Sequence, residues 1–430
     1  MNIVVLGLWH LGSVTAACTA AVHFRTVGID DDPGRVAGLS HGEPPLYEPG
    51  LAELVRSGLD AGNLRFTTNI SAVSDADVVW VCYDTPVDEN DQADVKFVTR
   101  RVEAIFKHLK NDAIVLVSAQ LPVGSVAALE RAYAQHETGR NVAFACSPEN
   151  LRLGRAIDVF QNPGRIIVGV RSRSVRTALE PLFLSFCEQL IWVSVESAEM
   201  VKHALNAFLA TSVTFTNEIA TICERVGADA TEVETGLRSD PRIGPTAYVK
   251  PGPAFAGGTL ARDINFLSGL ARQHHLMTPV IDGVVPSNRA HSGWAFDHLR
   301  RVLQPLRERT VAVLGLAYKP GTSTLRRASA IDLIRALVME GVSVRAFDPQ
   351  VTSLPNDLVD SVVLATNAKS AAQGAHALVV ATEWPEFREL SAGDIASVMA
   401  GTIILDPGRF LGARFAAHTN LKLISVGGIS

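Results

Sequence analysis

Cysteine is scarce in this 430-residue chain, and the few present do not pair. Cys18, Cys82, Cys146, Cys187 and Cys223 are odd in number, widely spaced and form no Cys-x-x-Cys unit. A disulfide framework is therefore not expected; reduced thiols are, with the cytoplasm as the default compartment. Charge of one sign is not in excess either. The 39 Lys and Arg against 44 Asp and Glu leave −5, which argues against a broad nucleic-acid-binding surface but leaves room for a local phosphate pocket. No apolar run is long enough to span a bilayer, so no membrane partner is expected. The N-terminus lacks the basic start of a secretory signal and runs straight into a glycine turn. Low-complexity tracts and short-period repeats are missing. So is any metal-ligand cluster: His274-His275 is an adjacent pair and cannot face one ion from a helix.

What the chain does have is apolar bulk, 47% of its residues, in a length sufficient for two or three domains. Residues 2–6 read as a short buried strand that Gly7 ends, followed by an alanine-rich helix to about His23. Further strands are expected at 27–30, 78–82, 113–117 and 141–145, with helices between them. Such alternation predicts a parallel sheet covered on both faces. Residues 197–226 carry no proline or strong turn signal and predict one long helix. The stretch 227–300 reads as mostly helical, with a glycine-rich loop at 251–258. Strands return at 310–315, 342–347, 377–381 and 402–405, with a helix at 328–339. The expected fold is α/β: two Rossmann-like parallel-sheet domains joined by a helical central domain. The domains expected are 1–195 for a nucleotide-binding α/β domain, 196–300 for the helical centre and 301–430 for the second α/β domain.

Gly7-Leu8-Trp9-His10-Leu11-Gly12 lies where a dinucleotide fingerprint belongs, after the first strand and opening a helix. Asp30 closes the second strand, where a carboxylate can accept the ribose hydroxyls of NAD and repel the 2′-phosphate of NADP. Arg35 lies close enough to soften that choice. The middle glycine, which lets backbone approach the pyrophosphate, is Trp9 here. This change is compatible with a shifted cofactor pose or with blocked binding.

Longer segments carry a more specific signal: Pro45–Leu51, Thr85-Pro86 with Ala93-Asp94, Leu121–Ser125, Ser147–Arg152, Glu199–Lys202 with Asn206 and Asn217-Glu218, Asp240–Gly244, Pro253–Thr259, Leu314–Pro320, Arg326, Asp348-Pro349 and Thr382–Trp384. In order and spacing these resemble the UDP-glucose/GDP-mannose dehydrogenase family over nearly the whole chain. The family oxidises a sugar C6 alcohol to a carboxylate with two NAD in turn. The resemblance implies a similar substrate class, a UDP-linked sugar in the family's manner, and a homodimer built on the long helix.

By the same resemblance, Lys202 and Asn206 stabilise a developing oxyanion; four residues apart, they share one helix face. Asp263 matches an active-site aspartate that orients water and takes part in proton transfer, although a helix N-cap explains it equally well. Glu149 keeps one of the family's loop carboxylates. Thr85, Gln120 and Arg326 match cofactor-contacting positions. Arg242, Tyr248 and Lys319 match positions that grip the nucleotide sugar, and Gly252, Gly257 and Gly258 allow close backbone approach to phosphate. Lys319-Pro320-Gly321 also reads as a surface turn, and His203 as a packed helix histidine. Three departures stand out. Thr259 occupies the place of the nucleophilic cysteine, Gln120 that of a threonine, and Leu153 that of a glutamate.

Three functions are compatible with this pattern. The first is an oxidoreductase with altered chemistry, by one two-electron oxidation or by redox epimerisation. The second is full oxidation without a thioester. The third is a non-catalytic nucleotide-sugar-binding protein.

Overall fold

A computed structural model describes residues 1–86, 93–136, 139–149, 151–256 and 258–428. Contacts divide the chain into two compact units, Met1–Ala204 and Leu205–Ser430. The division falls inside the long helix, which runs Val195–Val226.

In the first unit, eight strands form one sheet: β1 (Asn2–Leu6), β2 (Arg25–Ile29), β3 (Leu64–Thr67), β4 (Val78–Val81), β5 (Ala113–Val117), β6 (Val142–Cys146), β7 (Ile166–Gly169) and β8 (Leu190–Val193). Their order is β3-β2-β1-β4-β5-β6-β7-β8. The pairing is parallel except between β6 and β7, which meet antiparallel at Cys146 and Gly169. The expected parallel sheet is present, with this one antiparallel contact added. β1, β4 and β5 are apolar on both faces because helices cover both, which is why they read as continuous Val/Ile/Leu runs. Two apolar clusters, one on each side of the sheet, complete this unit.

The second unit carries a six-stranded parallel sheet: β9 (Thr310–Leu314), β10 (Ser343–Phe347), β11 (Val362–Leu364), β12 (Ala377–Val380), β13 (Ile403–Leu405) and β14 (Lys422–Ile424). Its order is β11-β10-β9-β12-β13-β14. Counted from its own first strand this is 3-2-1-4-5-6, the arrangement also made by β1–β6, and the order of dinucleotide-binding sheets. The sequence alone did not establish that kinship. Helices at Ala230–Ser239, Thr259–Gln273, Pro279–Ser292 and Trp294–Val302 precede the sheet. A small apolar cluster joins the long helix to two of them through Ala207, Ala210, Ile264 and Val284. Among the described residues no helix is long and apolar enough to cross a membrane.

Candidate active site

The first glycine turn is built by steric necessity. Gly7 has φ +84°, and a Cβ there would lie 2.4 Å from the Tyr83 ring. A Cβ on Gly12 would lie 1.6 Å from the Gly7 carbonyl oxygen, so only glycine lets the His10–Ala21 helix sit this close to β1. Asp30, 1% exposed just past β2, accepts the Leu8 N–H at 2.7 Å and the Asp32 N–H at 3.0 Å. Trp9 is different in kind: its side chain points outward, 41% exposed, at the head of the helix. The Arg35 guanidinium lies 5.2 Å from the indole centre and also donates to both Asp30 oxygens, at 2.9 and 2.8 Å. Turn, close helix and buried carboxylate fit a dinucleotide. Arg35 already pairs with the carboxylate expected to meet the ribose.

The same unit brings several other expected residues together. The Thr85 hydroxyl donates to the Gln120 carbonyl at 2.8 Å. Gln120, Glu149 and Lys202 line one small cavity, with Cys146 and Glu199. The Lys202 ammonium donates to the Glu149 carbonyl at 2.6 Å, and the Glu149 carboxylate accepts the Leu151 N–H. Leu153 is 37% exposed in the turn that follows. His203 is buried, with Nε2 3.0 Å from the Leu121 carbonyl, and is a packing residue.

The sequence placed Glu199 and Glu48 in resemblance-bearing segments without assigning either a role, yet they brace this unit. Glu199 is 6% exposed and accepts the N–H groups of Gly124 at 2.7 Å and Val126 at 2.9 Å. Burial raises its pKa against the pull of those two donors. Glu48 does comparable work elsewhere in the unit. Their partners are backbone amides far away in sequence, which leave no local signal.

In the second unit, Asn206 and Asp263 are buried at 7% and 0% exposure, and the Asn206 amide donates to the Asp263 carboxylate. Asp263 is not an N-cap. The helix begins at Thr259 after Gly258, placing Asp263 a full turn inside it, so that reading is corrected. Thr259 is exposed at the first helical position. The loop leading to it is firmly held. Asn217 accepts the Gly252 N–H at 3.0 Å, His291 Nε2 meets the Gly252 carbonyl at 2.9 Å, and the Asn288 amide pairs with both backbone groups of Phe255 at 2.9 Å. Gly258 is half-buried, and Gly257 lies outside the described residues.

The expected substrate-gripping residues lie in the second unit as well. Arg242 is exposed and pairs with Asp240 at 2.6 Å. Tyr248 is 59% exposed. Lys319 is half-buried after β9, its ammonium 5.5 Å from the Tyr318 ring centre, and Arg326 is exposed in the following loop.

None of the five cysteines lies in the loop that leads to Thr259. Cys18, Cys82, Cys146 and Cys223 are buried and Cys187 is half-buried. Burial pushes the Cys18 thiol up to about 12 and raises Cys82 and Cys146 as well, so these stay protonated and poorly nucleophilic.

Three family models match the chain: the NAD binding domain of the UDP-glucose/GDP-mannose dehydrogenase family at residues 1–187, its central domain at 196–290 and its UDP binding domain at 312–413. UDP-glucose 6-dehydrogenase TuaD of Bacillus subtilis is 33% identical over 408 residues, covering 94% of this chain and 88% of that protein. UDP-glucose 6-dehydrogenase of Pseudomonas aeruginosa is 34% identical over 421 residues, covering 94% and 93%. Among solved structures, a UDP-glucose dehydrogenase from the archaeon Pyrobaculum islandicum superposes with a TM-score of 0.87 at 28% identity, covering 100% of this chain and 98% of that one.

Proposed function

The chain belongs to the UDP-glucose/GDP-mannose dehydrogenase family, and within it we propose an NAD-dependent oxidoreductase of UDP-linked sugars that does not proceed through a thioester. One two-electron oxidation, or a redox epimerisation, is its reaction. The observation that carries this reading is Thr259, an alcohol at the head of the Thr259–Gln273 helix, in a chain whose thiols lie outside that loop. A thioester route needs an anion accessible near neutral pH, which cysteine supplies and threonine does not.

When bound, NAD supplies the two-electron acceptor. Gly7, Gly12 and Asp30 are the residues we assign to hold it, with Trp9, Arg35, Thr85, Gln120 and Arg326 around it. Lys202 and Asn206 steady negative charge on the sugar oxygen, the role a cation and an amide donor suit in a water-poor site. Asp263 and Glu149 handle the proton and orient water. Arg242, Tyr248, Gly257, Gly258 and Lys319 grip the nucleotide sugar. The division of labour we propose is 1–195, 196–300 and 301–430, supported by the three matched family domains.

The protein works as a homodimer in this reading. Phe208, Phe215, Ile222 and Val226 are 69%, 50%, 56% and 70% exposed and recur at the seven- and four-residue spacing of a helix seam. A second copy of the chain covers that seam. Light scattering that finds a monomer at micromolar concentration overturns the dimer.

The deciding experiment incubates the protein with NAD and a panel of UDP-sugars, counts NADH formed per sugar consumed and weighs the product. One NADH, or an isomer without net NADH, is expected. Two NADH and a carboxylate would restore the ordinary family reaction. Tight sugar binding without turnover would instead make this a binding protein. Lys202→Ala should lower kcat by about 100- to 1,000-fold, the cost of losing one such donor, while Thr259→Ala should stay within about threefold of wild type.

A further inference from the structure

Pro45-Leu46-Tyr47-Glu48-Pro49-Gly50-Leu51 has so far been given no task. Its last four residues form a tight turn: the Leu51 N–H returns to the Glu48 carbonyl at 3.1 Å, with Pro49 and Gly50 at the centre and Gly50 at φ +81°. Proline followed by a left-handed glycine is the requirement of a type II turn. Leu51, buried in the apolar cluster on one side of the sheet, anchors it there. The turn presents the Glu48 side chain, 1% exposed, to the interior.

Three donors from two directions meet that carboxylate. Oε2 lies 2.9 Å from Nε2 of His10, the first residue of the helix that leaves the glycine turn. Oε2 also accepts the Gly154 N–H at 2.8 Å, and Oε1 accepts the Ala156 N–H at 2.8 Å. Gly154 and Ala156 close the same loop that carries Glu149 and Leu153. Isolated burial of a carboxylate is costly, so this one persists because its donors hold it, and each is in turn held by it.

We propose that Glu48 is a positioning residue that couples occupancy of the glycine turn to the placement of the Glu149 loop, with His10 as its contact on the cofactor side. The coupling rests on the NAD-dependent reading above. A cofactor settling beside Trp9 and His10 restricts the head of the His10–Ala21 helix. A restricted His10 fixes Glu48, and a fixed Glu48 holds the Gly154 and Ala156 amides. Glu48 touches neither cofactor nor sugar.

Hydrogen exchange of the full chain, with and without NAD, reads the coupling directly, beside calorimetry of NAD binding. In the wild type, NAD should slow exchange of the amides at 151–157 by about tenfold, a local opening reported far from the glycine turn. In His10→Leu that protection should vanish while NAD still binds. His10→Gln, which keeps a donor of similar reach, should restore it. Glu48→Gln, which loses acceptors but not shape, should speed exchange at 154 and 156 before any NAD is added. NAD binding with equal protection in the wild type and His10→Leu overturns the coupling alone. A wild type that does not bind NAD overturns the cofactor reading and the coupling with it.

Discussion

The two sheets share a strand order and the same turn chemistry, yet use it differently. Gly7 after β1 and Gly315 after β9 both have φ +84°. Each donates its N–H to the last residue of the neighbouring strand, at 2.9 Å to Ile29 and 2.7 Å to Phe347. The first turn then gives one backbone N–H, and the second two, to the aspartate that follows that strand. Asp348 accepts Leu316 and Ala317 at 2.7 and 3.0 Å, Gln350 and Val351 at 2.9 and 3.2 Å, and the Trp384 indole N–H at 2.9 Å. It is saturated by the fold. Asp30 instead adds the half-buried Arg35 guanidinium to its two backbone donors, Leu8 and Asp32. Helices differ as well. The first turn opens at once into the helix at His10, whereas Ser329 starts the corresponding helix only after a loop containing Lys319-Pro320-Gly321. One carboxylate pairs with a side-chain cation and the other with backbone and indole donors alone, although the local sequences look alike.

The largest test of that contrast is Asp348→Ala. It strands several buried donors and should cost about 3–4 kcal/mol of stability in urea titrations, with NAD affinity unchanged. Lost NAD binding at unchanged stability would reverse the two assignments. Next is Arg35→Ala. Removing the cation frees Asp30 for ribose hydroxyls and restores its repulsion of a 2′-phosphate. NAD should then be preferred over NADP about tenfold more than in the wild type, or about 1.4 kcal/mol, measured by calorimetry. Equal preference would mean that Asp30 does not meet the ribose.

The smallest effect is a pH signature of opposite sign in the two sheets. Burial raises Asp406 beyond β13, despite the N–H groups of Leu411 and Phe410 and the nearby Lys250 and Arg409 charges. Its folded form holds the proton more tightly, so its stability contribution is full below the ordinary carboxylate range. That contribution is lost as pH rises through the raised value. For Asp77 burial also pushes upward, but the Lys110 ammonium and the Asn2 N–H prevail and lower it. Its contribution is present above the ordinary range and lost as pH falls through the lowered value. Denaturation midpoints between about pH 3 and 7 should lose the first slope in Asp406→Asn and the second in Asp77→Asn. Parallel shifts in both variants would contradict the opposite signs.

The sequence exposed those parts of the fold whose cause is local. β1, β4, β5 and β9 are apolar runs, and the long helix was legible to within two residues of its Val195 start. β3, β11 and β14 escaped notice because they are three- or four-residue pieces, and all three lie at sheet edges. Their neighbours supply the ladder that their own composition does not announce. β7 and β8 were missed despite apolar residues, since short runs do not declare their conformation. At the candidate site, the glycine turn, Asp30 and the Lys202–Asn206 spacing were readable. His10, Glu48 and Glu199 were not, because their partners lie many residues away.

The outward tilt of Trp9 has a consequence for how this turn can change over generations. Positions 7 and 12 are held to glycine by folding itself, since any side chain there strikes Tyr83 or the Gly7 carbonyl. Position 9 is 41% exposed and meets no such clash, so folding leaves it far freer. The motif thus joins two independent inheritances, one policed by stability and one chiefly by the ligand. A lineage can drift at the second without paying at the first, and a tryptophan there is the mark such drift, or a new ligand demand, would leave.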